Sequence, residues 1–326
     1  MSKIKTTIVG ERPYLINDLL LVEGISRAGK FLLANILHGF KGIEPTQYCE
    51  LLEQIPYLEK FNLIANKAAR ELLRAEVDIN GYKMLIGRNF NHRKLDKSAI
   101  FNNPRYKQYL KRSAIKDTKV ILRQFYQARP YNPFIVHEIM PAISIYLKTF
   151  PRIKVVSIQR SPLDLVYSHY VWYLSYKKKF KKTLWPLAIL LRQGNNSIPW
   201  YTLVYQRSKN NKQLIDNIIL AIARLLADYQ STYKSLSLLN KKKFLFVRYE
   251  DILVNPHEVI DKISKFLKRE VLPEMSKIIK AEKLPNKEYN NLKEEKIKEI
   301  KAIASPECFN HLLKIETQYI KNKKYD

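Results

Sequence analysis

One segment of this 326-residue chain combines glycines, cations and a hydroxyl in a spacing suited to binding an anion. It reads Gly24-Ile25-Ser26-Arg27-Ala28-Gly29-Lys30, after a short apolar run and before a helical pattern. Glycine at both ends allows a tight turn and a close approach of the backbone to a ligand. The helix that follows presents unpaired N–H groups and the positive end of its dipole, and Arg27 and Lys30 add full charges. We therefore predict a phosphate-binding loop over residues 24–30.

The same segment matches the G-x-x-x-x-G-K core of a Walker A loop, with one departure. Phe31 occupies the position at which a serine or threonine would hold Mg²⁺ in a kinase or a nucleotide hydrolase. A phenylalanine side chain has no oxygen with which to bind a metal ion. The loop is therefore predicted to bind phosphate without a metal. A P-loop small-molecule kinase or nucleotide-binding protein stays open as an alternative.

A second candidate anion site follows the predicted strand Lys154–Ile158. Arg160 comes just after this strand, at the end where open α/β sheets bind their ligands. Ser168 lies about two helical turns further on, so both side chains face the same side if the helix packs beside the strand end. A guanidinium binds two phosphate oxygens at once, and a serine hydroxyl donates a further hydrogen bond.

The elements that must position these residues follow from the hydrophobic pattern. Strands that alternate with helices favour a parallel sheet covered by helices on both faces. We predict an α/β protein with a three-layer P-loop-type fold, a central parallel sheet flanked by helices. Nothing in the composition marks a boundary, so residues 1–326 are predicted to form a single domain, helical and charged from about residue 273. Strands are predicted at 18–23, 134–137, 154–158 and 243–247, and helices at 30–38, 142–148, from 161, at 214–239 and at 255–267.

The composition excludes several classes of protein. Lysine and arginine number 58 and aspartate and glutamate 30, a formal net charge of +28. This charge predicts anionic partners, although a lysine-rich solvated surface with no specific partner explains it as well. The only two cysteines, Cys49 and Cys308, exclude a disulfide-built fold and a four-cysteine metal site. Because no signal peptide or apolar run of about 20 residues is found, a soluble, cytoplasmic protein is expected.

The two anion-binding segments together resemble those of the PAPS-dependent sulfotransferases, where PAPS is 3′-phosphoadenosine 5′-phosphosulfate. Arg160 with Pro162 and Ser168 is similar to the family's 3′-phosphate-binding motif, and Gly24–Lys30 is similar to its 5′-phosphosulfate loop. The four segments that carry the resemblance stand in the family order over most of the chain. The other two are Phe150-Pro151 before a strand and Arg248-Tyr249-Glu250-Asp251-Ile252, which is followed by Pro256.

The resemblance implies a role for each matching residue. Arg160 and Ser168 would hold the 3′-phosphate, and Tyr249 would lie near the adenine. Glu250 would either contact the ligand or organise buried hydrogen bonds, and the same holds for Asp251. The two threonines after the family's loop glycine are here Lys30 and Phe31, so we predict that the Lys30 charge replaces a lost hydroxyl contact. The residues that would surround the 5′-phosphosulfate are Ser26, Arg27, Ala28, Gly29, Lys30 and Phe31.

The implied reaction moves a sulfuryl group from PAPS to a hydroxyl or amine of an acceptor by in-line displacement, with no metal required. A general base must take the acceptor's proton, and the family uses a glutamate or a histidine. Glu50 or Glu53 is the first choice, because related members place a glutamate after the first helix, and His137 is the second. Positive groups must neutralise the leaving phosphate, and Lys30 is a candidate for this. The remaining candidate bases are Glu44 and Glu138.

The acceptor is indicated only by a cluster of aromatic residues in the middle third of the chain. Aromatic faces suit sugars and lipids, so a glycan or glycolipid acceptor is predicted, although core packing explains the same residues. The basic run 177–182 would suit an acidic acceptor or an anionic membrane surface. Nucleic acid is not expected, since no module that binds it is found. A non-catalytic module that binds anionic ligands is the other alternative. The aromatic residues are Trp172, Tyr173, Tyr176, Trp185, Trp200 and Tyr201.

Overall fold

A five-stranded parallel sheet forms the centre of the fold, in a computed structural model that describes residues 13–96, 98–179, 189–193, 196–199, 211–286, 289 and 293–321. The order of its strands is β2-β3-β1-β4-β7, and every pair is parallel. β5 and β6 form a separate antiparallel hairpin. The strands are β1 (Leu19–Glu23), β2 (Gln47–Tyr48), β3 (Asn132–Ile135), β4 (Lys154–Gln159), β5 (Leu190–Gln193), β6 (Asn196–Pro199) and β7 (Phe244–Arg248).

Helices cover both faces of this sheet. The predicted α/β class and the central parallel sheet are thereby confirmed. Among the described helices, none is long and apolar enough to cross a membrane. The helices are α1 (Lys30–Leu37), α2 (Leu51–Lys60), α3 (Asn66–Leu85), α4 (Tyr106–Ser113), α5 (Thr118–Ala128), α6 (Ile143–Thr149), α7 (Pro162–Lys179), α8 (Asn211–Ser235), α9 (Leu238–Lys241), α10 (Tyr249–Val254), α11 (Pro256–Leu267), α12 (Met275–Ala281), α13 (Lys293–Ile303) and α14 (Pro306–Lys321).

The central strand β1 divides the hydrophobic core into two layers, because successive side chains of a strand point to opposite faces. Leu20 and Val22 belong to the cluster formed with α1, α7, α8 and α11. Leu19 and Leu21 belong to the cluster formed with α2, α3 and α6. All four side chains are fully buried. The continuous apolar run that predicted this strand is therefore required by a sheet that is covered on both sides.

The strand order places one crevice at the carboxyl end of β1. This strand pairs with β3 on one side and with β4 on the other, so the chain changes direction across it. In open α/β sheets the ligand binds at such a switch point. Gly24, His137 and Arg160 follow the carboxyl ends of β1, β3 and β4, so the topology brings the predicted site residues to one edge.

Most predicted elements are observed with shifted ends. The strand predicted at 134–137 is observed as β3, which begins and ends two residues earlier. The helix predicted over 214–239 is observed as α8, which ends at Ser235 and is followed by the short α9. Asn255 is the N-cap residue of α11, as predicted, but its side chain makes no capping hydrogen bond. Helices α2 to α5 and the two-residue edge strand β2 were not predicted. β2 is defined by its pairing with the distant β3, which no local pattern shows.

The turn into α1 depends on one glycine. Gly29 has a left-handed backbone with φ of 104°, and a Cβ atom there would lie 2.4 Å from Cδ2 of Tyr249. We expect Gly29→Ala to lower the free energy of unfolding by about 1–3 kcal/mol, measured by chemical denaturation, because alanine adds backbone strain and a clash with a ring.

Gly39→Ala is the matched control. A Cβ atom at Gly39 would meet the end of the flexible Met275 side chain, and its φ lies outside the left-handed region. Its loss of stability is expected to be the smaller of the two. An equal loss in both variants would contradict the special role of the Gly29 turn.

Candidate active site

The loop between β1 and α1 has the backbone of an anion-binding turn. Arg27 and Gly29 both have left-handed backbones, with φ of 69° and 104°. Such a conformation costs a non-glycine residue roughly 1–3 kcal/mol, and residues strained in this way cluster at functional sites. Within the described residues, the N–H groups of Gly29, Lys30 and Phe31 form no hydrogen bond. The start of α1 therefore offers free donors and the positive end of a helix dipole.

Lys30 stabilises this loop from below. Its ammonium Nζ donates to the carbonyl oxygens of Gly24 at 2.8 Å and Ile25 at 2.9 Å, and the side chain is buried. Burial lowers the pKa of Lys30 to about 8, although the carboxylates of Glu138, Glu23 and Glu53 oppose this shift. The sequence analysis predicted that the charge of Lys30 contacts the phosphosulfate of the sulfuryl donor. In this structure the ammonium is directed towards the carbonyls of its own loop.

Arg27, Arg160 and Ser168 come together at the carboxyl edge of the sheet. The Nε of Arg27 donates to Ser168 Oγ at 3.1 Å, and Nη1 of Arg160 donates to the carbonyl of Arg27 at 2.7 Å. Within the described part of the chain, neither guanidinium forms an ion pair with a carboxylate. Burial lowers the pKa of Arg27, and the neighbouring Arg160 charge lowers it further. An anion at this place would relieve that repulsion.

Tyr249 forms an aromatic wall beside these cations. The Arg160 guanidinium lies 4.4 Å from the centroid of the Tyr249 ring, and Gly29 packs against the same ring. A cation over an aromatic face is attracted by the ring's quadrupole. Tyr249 therefore connects the loop after β1 with the segment after β4. That Tyr249 lies near an adenine stays a prediction.

The neighbouring Glu250 organises buried hydrogen bonds, which was one of the two roles left open. Its Oε1 accepts from the backbone N–H of Ser161 at 2.7 Å, and its Oε2 accepts from the Tyr319 hydroxyl at 2.8 Å. Burial raises the pKa of the Glu250 carboxyl. Both oxygens are thus used to hold other segments of the chain, and Asp251 lies beside it in the first turn of α10.

The buried Glu53 forms an acid–imidazole pair with the half-buried His137. The Oε1 of Glu53 lies 2.6 Å from Nδ1 of His137 and also accepts the backbone N–H of His137 at 2.7 Å. Burial raises the pKa of Glu53 to about 8 and lowers that of His137 to about 3, so both groups favour their neutral forms. The Tyr48 hydroxyl donates to Oε2 of Glu53 at 3.3 Å, and its ring meets the imidazole edge-on. Two of the predicted bases are thus hydrogen-bonded to each other.

The other candidate bases are separate from this pair. Glu50 is the exposed residue before α2. Glu44 forms a bidentate ion pair with Arg112, at 2.8 and 2.7 Å, which is a structural role. Glu138 accepts the backbone N–H of Ser26 at 2.8 Å and so holds the loop between β1 and α1. Its own backbone is left-handed, with φ of 51°.

The remaining predicted residues line the loop or lie outside the described residues. The carbonyl of Ser26 accepts a hydrogen bond from Nε2 of His169 at 2.9 Å. Ala28 is buried, whereas Phe31 is 46% exposed at the start of α1. Trp172 and Tyr173 are half-buried on α7. Residues 180–182 of the basic run and three of the predicted aromatics, Trp185, Trp200 and Tyr201, lie outside the described residues, as does the side chain of Tyr176.

Sequence reasoning missed the buried Glu23, which lies beneath the loop. Its carboxylate accepts hydrogen bonds from Ser157 Oγ at 2.6 Å and from the Tyr229 hydroxyl. Burial raises the pKa of Glu23. The signal was present, since a glutamate that ends the apolar run Leu-Leu-Leu-Val-Glu is a buried polar group that needs partners. The partners themselves come from β4 and α8, which no local pattern indicates.

Several solved structures are similar to this chain at low sequence identity. A sulfotransferase domain from the curacin biosynthetic pathway has 13% identity over 81% of this chain and 77% of that one, with a TM-score of 0.45. The sulfotransferase domain of the Synechococcus PCC 7002 olefin synthase gives 14% identity, coverages of 83% and 79%, and a TM-score of 0.39. A sulfotransferase from Mycobacterium tuberculosis H37Rv has 12% identity over 81% of this chain and 71% of that one, with a TM-score of 0.39. No curated protein sequence matches the chain.

A family model gives the broader result. The model described as "Sulfotransferase domain" matches residues 40–310, well over half of the chain. His137, Arg160, Ser168 and Tyr249 lie inside this range, whereas the loop 24–30 precedes it. The matched segment contains β3, β4 and β7 with the helices that cover them. The chain therefore belongs to the sulfotransferase domain family, whose members transfer a sulfuryl group to an acceptor.

Proposed function

We propose that this protein transfers the sulfuryl group of PAPS to a hydroxyl of its acceptor. One observation supports the choice of donor above the others. Arg27, Arg160 and Ser168 meet at one edge of the sheet, although they come from three separate segments. Two guanidinium groups without a carboxylate partner among the described residues form a site for an anion of high charge. A nucleotide with both a 3′-phosphate and a 5′-phosphosulfate carries that charge.

The residues present fit such a donor. Arg160 and Ser168 would bind the 3′-phosphate, and the Tyr249 ring would lie beside the adenine. The free N–H groups of Gly29, Lys30 and Phe31 would bind the oxygens of the 5′-phosphosulfate, since backbone donors at a helix start favour anions. Arg27, between the two phosphate positions, would neutralise charge on the leaving phosphate. Lys30 would stabilise the loop through its hydrogen bonds to the carbonyl oxygens of Gly24 and Ile25.

The acceptor's proton would be taken by His137, held by Glu53. A deprotonated Glu53 accepts the Nδ1–H of His137, which leaves the lone pair of Nε2 free to act as a base. A protonated Glu53 would instead donate to Nδ1, so the proton of the neutral imidazole would lie on Nε2. With a proton on Nε2, His137 could not act as a base. The carboxyl thus selects the tautomer of the histidine. Among the described residues, the side chains of Glu44, Glu50 and Glu138 form no hydrogen bond with another predicted base.

The acceptor is proposed to be a sugar or lipid hydroxyl. Tyr48 is 46% exposed next to His137, and Phe31 is exposed to the same extent at the loop. Aromatic faces beside a base suit the flat apolar face of a sugar ring or an aliphatic chain. Screening glycans, glycolipids and phenols with ³⁵S-labelled PAPS would identify the class.

The donor is tested by binding of 3′-phosphoadenosine 5′-phosphate, measured by titration calorimetry beside adenosine 5′-phosphate and Mg·ATP. Arg160→Gln is expected to lower the affinity for the 3′-phosphorylated ligand by about 10- to 100-fold, because the substitution removes charge-assisted hydrogen bonds to phosphate. Adenosine 5′-phosphate should be little affected.

Arg123→Gln, an exposed arginine on α5, is the matched control and should bind both ligands like the wild type. Wild-type protein that binds Mg·ATP but not the bisphosphate would overturn the proposal in favour of a P-loop kinase. Binding of the bisphosphate with no transfer to any acceptor would favour a non-catalytic module.

The base is tested by the pH dependence of sulfuryl transfer. Because burial raises the pKa of Glu53 to about 8, its carboxylate form increases as pH rises towards 8, and the rate should rise with it. Burial lowers the pKa of His137 to about 3, so the imidazolium does not form in this range. His137→Asn should lower kcat by about 10²- to 10⁴-fold with unchanged nucleotide affinity.

Glu53→Gln should lower kcat and flatten the rise of the rate towards pH 8. His92→Asn, at an exposed histidine, is the control and should keep the wild-type profile. A rate that is already constant from pH 5 upward would contradict the tautomer role of Glu53. A loss of activity in Glu50→Gln but not in His137→Asn would assign the base to Glu50.

A further inference from the structure

The C-terminal helices contact the two segments that carry the proposed nucleotide contacts. α14 runs over Pro306–Lys321, mostly beyond residue 310, where the family match ends. Sequence analysis predicted only a charged helical region here. We name five residues the C-terminal latch, and each bonds to Ser161–Asp164, to Arg248–Glu250 or to another member of the latch. They are Tyr289, Lys293, Lys296, Glu316 and Tyr319.

Glu316 is the centre of this latch. Its Oε2 accepts from Ser161 Oγ at 2.7 Å and from the backbone N–H of Leu163 at 3.2 Å. Its Oε1 accepts from Lys293 Nζ at 2.9 Å, and the residue is only 5% exposed. A buried carboxylate therefore satisfies donors of the first turn of α7. Ser161 directly follows Arg160, so this carboxylate fixes the backbone next to the proposed 3′-phosphate ligand.

Tyr319 makes a second contact, one helical turn along α14. Its hydroxyl donates to Glu250 at 2.8 Å, and the other oxygen of Glu250 accepts the backbone N–H of Ser161. The Arg248 guanidinium lies 4.1 Å from the centroid of the Tyr319 ring and donates to the Tyr319 carbonyl. Glu250 directly follows Tyr249. Helix α14 thus joins the segment after β4 to the segment after β7.

The third contact closes the latch on α7. Asp164 accepts hydrogen bonds from the Tyr289 hydroxyl and from Lys296 Nζ, the latter at 2.6 Å. The Tyr289 ring also meets the Tyr249 ring edge-on, with centroids 6.2 Å apart. Asp164 is 4% exposed. Charged groups this deeply buried hold a fixed geometry, because separating them leaves an uncompensated charge.

We propose that Glu316 is a positioning residue for nucleotide binding, acting through Ser161 to hold Arg160 in the geometry that binds a 3′-phosphate. This inference rests on the proposed function, since it takes Arg160 and Ser168 as the 3′-phosphate site. Arg160 has a carbonyl and an aromatic ring as its contacts and no carboxylate among the described residues, so its direction depends on its backbone. The latch supplies that constraint. By linkage, nucleotide binding must in turn stabilise the docking of α14.

The test compares Glu316→Gln with Glu307→Gln, an exposed glutamate on the same helix. Calorimetry with 3′-phosphoadenosine 5′-phosphate and with adenosine 5′-phosphate separates an effect on the 3′-phosphate from a general loss. Glu316→Gln should lower the affinity for the bisphosphate by about 5-fold or more. It should change the affinity for adenosine 5′-phosphate less, while Glu307→Gln should leave both affinities unchanged.

Two further measurements keep the proposal testable if Glu316→Gln does not fold. Tyr319→Phe removes only the hydroxyl that bonds to Glu250 and should give a smaller loss in the same direction. In wild-type protein, the bisphosphate should slow amide hydrogen exchange in residues 306–321 more than adenosine 5′-phosphate does.

The outcomes separate the two proposals. Wild-type protein that does not bind the bisphosphate contradicts the proposed function. Wild-type binding that is weakened by Arg160→Gln but unchanged in Glu316→Gln and Tyr319→Phe keeps the function and overturns the latch. An equal loss for both nucleotides in a folded Glu316→Gln variant would also overturn it, because a merely structural role has no preference for the 3′-phosphate.

Discussion

The hydrogen bond from Arg160 to the carbonyl of Arg27 joins the segment after β4 to the loop after β1, and the candidate site depends on it. It brings two guanidinium groups together in a place where burial already lowers the pKa of Arg27. The two positive guanidinium groups repel each other, so neighbouring groups must hold both of them in position. Tyr249 supplies an aromatic face, Ser168 accepts from Arg27, and the loop carbonyl accepts from Arg160. A bound dianion would turn this repulsion into affinity.

Beneath these guanidinium groups lies a layer of carboxyl groups around a buried lysine. Glu23, Glu53 and Glu138 surround the Lys30 ammonium, and burial favours the neutral forms of Glu23 and Glu53. The Lys30 ammonium donates to the carbonyl oxygens of Gly24 and Ile25 in its own loop. The net charge of +28 is thus a property of the whole chain, whereas the site is a local balance of a few buried groups.

Helix α14 contacts the site from a segment that lies mostly beyond residue 310, where the family match ends. Carboxylates from α10 and α14 occupy N–H groups at the start of α7, so that this helix start is held by the protein itself. The free helix start is that of α1, where, among the described residues, the donors of Gly29, Lys30 and Phe31 remain. The two motifs therefore use different chemistry: one offers backbone donors, and the other offers the side chains of Arg160 and Ser168.

The sequence by itself determined the alternation of strands and helices, the loop at 24–30 and the motif from Arg160 to Ser168. These depend on contacts between neighbours in the chain, such as the glycine at a left-handed turn or the arginine just after a strand. Glu53 and His137 were separate candidates in the sequence, because nothing local joins residues 84 positions apart. Only the tertiary structure paired them, turned Lys30 inward and brought Glu316 to Ser161. Burial decides the protonation of such groups, and burial depends on strand order and on the docking of distant helices.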